Sequence, residues 1–214
     1  MSWWSKGLLL GGMFFPLLAV AAPVDVVELV NFQCPHCRHF DRYVSGLSKD
    51  VAATGGVYRM APVLPALTND PAVSVRFWYA LEDISGERVA DKAAKYLYLG
   101  YQKGATLNSV SGVESWLSDY MTGLPSLRKL RKWTYGPEVK HQWLLAVAWY
   151  QKFPSHRIPE FVLLNPDAYR VEALIQRGVQ YPNAARLYAR LSRLIHRYGH
   201  RKPASIELPW SESH

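Results

Sequence analysis

The chain has 214 residues, of which 49% are hydrophobic and 20% are charged, and its formal net charge is +8. This length suits one domain, or one domain with a large insertion. The composition is that of a globular protein with enough apolar side chains for a core. It contains no internal repeat and no low-complexity segment, which excludes repeat architectures and compositionally biased chains.

The first residues have the pattern of a targeting segment. Lys6 supplies a positive charge, residues 7–18 form an apolar run too short for a comfortable membrane span, and the small residues at 19–21 match an A-x-A cleavage site. We therefore predict a signal peptide over residues 1–21 and an exported mature chain. An uncleaved membrane anchor is the alternative interpretation.

A strand, a C-x-x-C motif and a helix follow in that order. Residues 24–30 form an apolar run that predicts a buried strand, and residues 38–53 show helical periodicity. Residues 57–64 predict a second strand, which makes the region a βαβ unit. The only two cysteines of the chain lie between the first strand and the helix, in the motif Cys34-Pro35-His36-Cys37.

The position of the motif predicts redox chemistry. Cys34 lies where unpaired N–H groups and the positive end of the helix dipole favour a thiolate, and a protonated His36 would add to that field. The two thiols are close enough to cycle between dithiol and disulfide. A structural disulfide is a poor alternative, because so small a loop returns little chain-entropy stabilisation. A zinc site that adds His36 and His39 is another alternative, but no second ligand pair completes it in the sequence.

These residues resemble a known family. The motif Cys34-Pro35-His36-Cys37, after a strand that carries Glu28, is similar to that of the DsbA-type thiol-disulfide oxidoreductases of the bacterial periplasm. The resemblance implies an α/β, thioredoxin-like fold with an inserted all-helical domain. It also implies that Cys34 is the nucleophile, that Cys37 is its resolving partner, and that Pro35 and His36 tune the pair.

The middle of the chain predicts that insertion. From residue 71 to 152 the apolar spacing is helical, with Asn69 or Asp70 as a possible N-cap before Pro71. We predict a thioredoxin-like domain formed by residues 22–66 and 153–199, with a helical domain at 67–152 between its two parts.

The last part of the chain predicts a hairpin and a helix. Residues 161–164 and 169–173 read as its two strands, and 183–198 as an amphipathic helix that Gly199 can cap. A mobile tail is predicted at 200–214. The arginines of this helix indicate a solvated face rather than a nucleic-acid interface.

Two further features complete the predicted site. The resemblance implies a cis peptide bond between Ile158 and Pro159, opposite the cysteines, where Ile158 offers its N–H and C=O to an extended client. It also implies an acidic residue beneath the site that helps to move protons. Glu28 matches that position and is expected to be partly buried with a raised pKa, although the alternation of strand side chains leaves a surface-facing Glu28 open.

The sequence also departs from the family in two places. Too few residues precede Cys34 for an additional N-terminal strand, so we expect that strand to be missing. Charged residues, Arg157 and Glu160, flank the cis-proline where the family has small or apolar ones. Both departures bear on the range of substrates and on the partner protein.

The motif and the family resemblance together predict a monomeric periplasmic disulfide oxidase. Its only cofactor would be the Cys34–Cys37 disulfide, and no metal is expected. It would donate that disulfide to reduced exported proteins and be reoxidised by a DsbB-like membrane partner. A disulfide reductase or isomerase of the same fold is the first alternative. A metal-binding or peptide-binding module is the second.

Overall fold

The computed structural model describes residues 22–63, 72–152, 157–166, 170–176, 181 and 183–200. The predicted signal peptide, the proposed N-cap before residue 71 and the tail beyond residue 200 lie outside the described residues.

Four strands form one sheet in the order β2-β1-β3-β4: β1 is Asp25–Val30, β2 is Tyr58–Pro62, β3 is Glu160–Asn165 and β4 is Arg170–Gln176. The first two strands are parallel, while β3 is antiparallel to both β1 and β4. The predicted βαβ unit and the predicted hairpin are therefore both present. In the described part of the chain β1 is the first strand, and β2 lies at an edge of the sheet.

Two helices cover one face of the sheet, α1 (Pro35–Ala52) and α7 (Ala184–Gly199). Each carries apolar side chains three or four residues apart, so one stripe of each helix is buried against the sheet. Phe40 of α1 packs on Phe161 of β3 with ring centroids 4.6 Å apart, and Tyr43 stacks on Tyr188 of α7 at 5.3 Å. These contacts fix the start of α1, and with it the cysteine motif, over the end of β1.

Five helices separate β2 from β3: α2 (Ala72–Ser85), α3 (Glu87–Gln102), α4 (Val110–Ser118), α5 (Leu127–Thr134) and α6 (Pro137–Lys152). Their core packs on the other side of the sheet, against β1 and β2. The predicted fold class, a thioredoxin-like α/β fold with a helical insertion, is confirmed, while the exact domain limits stay a prediction. None of the helices in the described ranges combines the length and apolar character that crossing a membrane requires.

The predicted cap at Gly199 is wrong. Gly199 is the last residue of α7, and His200 occupies the cap position with a right-handed backbone, φ −91°. A Cβ atom at residue 199 would lie 2.6 Å from Cγ2 of Thr54, so this position has no room for a side chain. The glycine allows close packing of α7 on Thr54 in the turn before β2. Its carbonyl also accepts a hydrogen bond from the N–H of Ala22, just before β1, at 2.9 Å.

Candidate active site

Cys34 is the N-cap residue of α1, with extended backbone angles (φ −81°, ψ 117°) and Pro35 in the first turn of the helix. Asn31, a buried residue directly after β1, holds the turn: its carbonyl accepts from the N–H of Cys34 at 2.9 Å, and its side-chain oxygen accepts from Gln33 at 2.8 Å. The sequence analysis missed Asn31, although a polar residue between a strand and a helix start is a typical turn signal.

The Cys34 sulfur is held as a thiolate near neutral pH. The pKa of Cys34 is lowered from 9.0 to about 6, and the hydrogen bond from the Cys37 thiol is the largest cause. Partial burial opposes this shift, whereas the backbone N–H groups of Cys37 and His36 and the charge of His36 add to it. Both cysteines are free in this structure, so the geometry is that of the dithiol.

Cys37 is held in the opposite state. Its side chain is 1% exposed, and burial is the main cause that raises its pKa well above 9.0. The hydrogen bond to Cys34, the Cys34 thiolate and the Glu28 carboxyl raise it further. The pair therefore consists of an accessible thiolate and a buried thiol that donates to it.

Glu28 lies on β1 beneath the cysteines and is 1% exposed, so the surface-facing alternative is wrong. Burial raises the pKa of Glu28 to about 8, against a hydrogen bond that the Tyr58 hydroxyl donates to its carboxylate. The carboxyl groups of Asp41 and Asp91 raise the pKa a little more. At neutral pH Glu28 thus carries a proton inside the protein, close to Cys37.

The sequence analysis also missed Tyr58. A tyrosine at the start of an apolar strand is typical of core packing, and nothing in its position predicts a carboxylate partner. The register of β1 against β2 creates the pair, because Tyr58 lies opposite Val26, two residues from Glu28 on the same face of the sheet.

The structure places the predicted Ile158–Pro159 pair next to the cysteine motif. The bond between Ile158 and Pro159 is cis, and the Cys34 thiol lies 3.6 Å from the carbonyl oxygen of Ile158, 124 residues further along the chain. The two charged residues that flank Pro159 differ in exposure. Arg157 is exposed, but Glu160 is fully buried and accepts a hydrogen bond from the side chain of Gln176, so it does not face a substrate.

Two clefts lie beside the start of α1. One of about 360 Å³ lies between the start of α1 and the start of α7 and includes Pro159 in its wall. The other, of about 230 Å³, contains Cys34 itself and is bounded by Phe32, Tyr98 and Tyr101. His39 lines both clefts, and the half-buried Cys34 lines only the second one.

The described residues contain no cluster of three or more histidine, cysteine or acidic side chains that could hold a metal ion. His36 and His39 are both exposed on the first turns of α1. In the described ranges no further ligand completes the half-site that Cys34 and Cys37 could form with them.

Comparison with known proteins agrees with this geometry. A family model described as thioredoxin matches residues 19–109, and no curated protein sequence matches the chain. The fold is similar to that of the oxidoreductase DsbA from Xylella fastidiosa, with a TM-score of 0.64 and 18% identity over 83% of this chain and 87% of that chain. DsbA from Pseudomonas aeruginosa gives 0.63 and 17% over 82% and 84%.

A putative protein disulfide isomerase from Nitrosomonas europaea gives a TM-score of 0.63 with 11% identity, over 82% of this chain and 99% of that chain. At such identities the likeness concerns the fold. The predicted resemblance is confirmed at that level: this chain has the thioredoxin-like fold, with a helical insertion, of the DsbA oxidoreductases.

Proposed function

We propose that this protein is a thiol-disulfide oxidoreductase that works as a disulfide oxidase on exported proteins in the periplasm. One observation carries the proposal: a half-exposed Cys34 with a pKa of about 6 is paired with a buried Cys37 whose pKa is well above 9.0. Such an asymmetric pair favours attack at one sulfur and storage of a proton at the other.

The reaction begins with the oxidised protein. A client thiolate attacks Sγ of Cys34, a mixed disulfide forms, and the Cys34–Cys37 bond breaks with its electron pair left on Cys37. Because burial makes a thiolate unfavourable at Cys37, this sulfur must take up a proton. Glu28, protonated at neutral pH and buried nearby, supplies it.

A second client thiolate then attacks the client sulfur of the mixed disulfide. The client leaves with a new disulfide, and Cys34 departs as the thiolate that Cys37 and the helix N-terminus stabilise. Two electrons have moved from the client to the Cys34–Cys37 pair. Ile158 and Pro159 bind the client backbone beside the sulfur during both steps.

The direction follows from the thiolate. Stabilising the reduced protein is thermodynamically equivalent to raising the reduction potential of its disulfide, so a low pKa at Cys34 favours oxidation of clients. The protein would then need an external electron acceptor, for which a DsbB-like membrane partner is our proposal. The disulfide is the only cofactor that this cycle uses, and a monomer without nucleic acid suffices for it.

The reduction potential tests the proposed direction. Equilibrating the protein with glutathione buffers should give a potential on the oxidising side of glutathione, and the oxidised protein should introduce disulfides into a reduced, unfolded client protein stoichiometrically. A potential as low as that of thioredoxin, about −270 mV, would instead indicate a reductase. The Cys34→Ala variant is the matched control for exchange at the motif.

An isomerase is the second candidate, because the Nitrosomonas europaea neighbour is described as a putative protein disulfide isomerase. Incubation of the reduced protein with a client that carries scrambled disulfides separates the two. Recovery of the native client at a rate above that of free glutathione would favour the isomerase.

A further inference from the structure

Two arginines and two histidines lie on the first two turns of α1, directly after Cys34: His36, Arg38, His39 and Arg42. We call them the basic strip. His36, His39 and Arg42 are exposed, and Arg38 is half-buried. Residues three and four apart share one side of a helix, so Arg38 and Arg42 are neighbours, as are His39 and Arg42.

The basic strip borders both clefts at the start of α1. Arg42 lines the cleft that includes Pro159, Arg38 lines the cleft that contains Cys34, and His39 lines both. No aspartate or glutamate contributes to the wall of either cleft as described.

The acidic residues of α1 are engaged elsewhere. Asp41 is half-buried, and its electrostatic partner is Lys95 of α3. Asp50 lies near the end of the helix, beside Tyr188 and His196 of α7. Within the described ranges none of the four side chains of the basic strip forms an ion pair with a carboxylate. The positive charge around Cys34 is therefore not neutralised by these neighbours.

We infer that the protein selects clients that carry acidic residues close to the cysteine it oxidises. This inference rests on the proposed function and deepens it by naming the chemistry of the substrate. A client segment that reaches the Cys34 sulfur enters the cleft that Arg38 lines, and its aspartate or glutamate side chains meet arginines that form no ion pair with any described carboxylate. Complementary charge of this kind chiefly raises the rate of encounter and selects among partners, and salt screens it.

Exchange kinetics with synthetic peptides test the inference. Two reduced peptides would share one sequence, with a single cysteine, and differ only in glutamate or glutamine at two positions on each side of it. The Cys37→Ala protein is first converted to a mixed disulfide between Cys34 and a small aromatic thiol. The readout is the second-order rate at which the peptide thiolate attacks the Cys34 sulfur, forms the peptide–Cys34 disulfide and releases the aromatic thiol. Each rate is divided by the rate of the same peptide with the free aromatic disulfide, which corrects for its intrinsic thiol reactivity. At low ionic strength we expect this ratio to be several-fold higher for the glutamate peptide than for the glutamine peptide, and we expect the difference to vanish at high salt.

Three variants locate the effect. Arg42→Gln should reduce the preference for the glutamate peptide, and Arg42→Lys should retain most of it. Arg193→Gln removes an exposed arginine of α7 outside both clefts and is the matched control, which should leave the preference unchanged.

The outcomes separate this inference from the proposed function. Equal rates for both peptides, or an equal loss with Arg42→Gln and Arg193→Gln, would overturn the inference while the oxidoreductase activity stands. Failure of both peptides to react at Cys34 would overturn the proposed function itself.

Discussion

The candidate site has an outer half, which is Cys34, and an inner half, which is Cys37 and Glu28, and the two halves hold their acidic groups in opposite protonation states. In the outer half, Cys34 is half-exposed and its pKa falls to about 6. In the inner half, burial raises the pKa of Cys37 well above 9.0 and that of Glu28 to about 8. Near neutral pH the negative charge is therefore stable at Cys34, whereas Cys37 and Glu28 keep their protons.

The difference shows that the pKa of each cysteine in the motif depends on how deeply its sulfur is buried. Cys34 is the N-cap of α1 and Cys37 lies in its first turn, so both cysteines are near the positive end of the helix dipole. Desolvation is the largest cause of the shift at Cys37, but at Cys34 it is outweighed by the hydrogen bonds that the sulfur accepts. Two chemically identical groups thereby acquire different protonation states near neutral pH.

Removing one sulfur at a time should give the largest effect. We expect Cys34→Ala to abolish disulfide transfer to a reduced client, because the accessible sulfur is lost. Cys37→Ala should instead accumulate mixed disulfides, since the resolving thiol is gone. Non-reducing gel electrophoresis and mass spectrometry of the trapped species measure both. Full activity of Cys34→Ala would contradict the division of roles.

Neutralising the inner carboxyl should change the pH dependence of stability. The folded pKa of Glu28, about 8, lies above its ordinary value of 4.5. The folded state therefore binds the proton more tightly, and the unfolding free energy falls as the pH rises from about 4.5 to about 8. The loss is about 1.4 kcal/mol for each pH unit in that window. Glu28→Gln should remove this slope while it still accepts the Tyr58 hydrogen bond.

Denaturant unfolding of the oxidised protein, in which neither thiol titrates, measures that slope. Asp25→Asn is a control on the same strand, with a carboxyl group that is only partly buried. If parent and Glu28→Gln kept parallel pH profiles, the buried proton would have to reside elsewhere.

The outer half should affect stability with the opposite sign and a smaller size. The depressed pKa of Cys34 contributes stability to the reduced protein that is complete above about pH 9 and is lost as the pH falls through about 6. The oxidised protein has no such contribution. At pH 7 the benefit is at most about 1.4 kcal/mol, and solvent screening at the half-exposed sulfur reduces it.

Melting curves with and without reductant should therefore show the reduced form above the oxidised form near pH 7, with a gap that narrows toward pH 5. The rate of Cys34 alkylation should rise with pH about a midpoint near 6. A higher melting temperature for the oxidised form at pH 7 would favour a structural disulfide or a reductase.

The smallest effect is expected at His36. Its charge is the last of the causes that lower the pKa of Cys34, after the hydrogen bond from Cys37 and those of the backbone. His36→Ser keeps the backbone N–H, so the alkylation midpoint should rise only slightly and the reactivity at pH 7 should change less than about twofold. His39→Ser is the control. A large change with His36→Ser would mean that its charge outweighs the Cys37 hydrogen bond.

Local patterns in the sequence determined the order of strands and helices around the motif and which helix faces are buried. The C-P-H-C motif lies between an apolar strand and a helix with a clear periodicity, so its place at a helix N-terminus could be predicted from neighbours in the chain. Helical apolar spacing was also predicted for residues 71–152, and in α6 the buried side chains recur three or four residues apart, at Val139, Trp143, Ala146, Val147 and Tyr150. Such patterns are reliable because adjacent residues carry the whole signal.

Only the tertiary structure decided the states of the acidic groups. Whether Glu28 and Glu160 face water or the core depends on the helices that cover the sheet, and period-two alternation alone leaves both sides open. The Glu28–Tyr58 pair depends on strand register, and the approach of Cys34 to Ile158 joins residues 124 positions apart. Burial and long-range contacts set the desolvation that raises or lowers a pKa, and neither quantity is contained in the order of neighbouring residues.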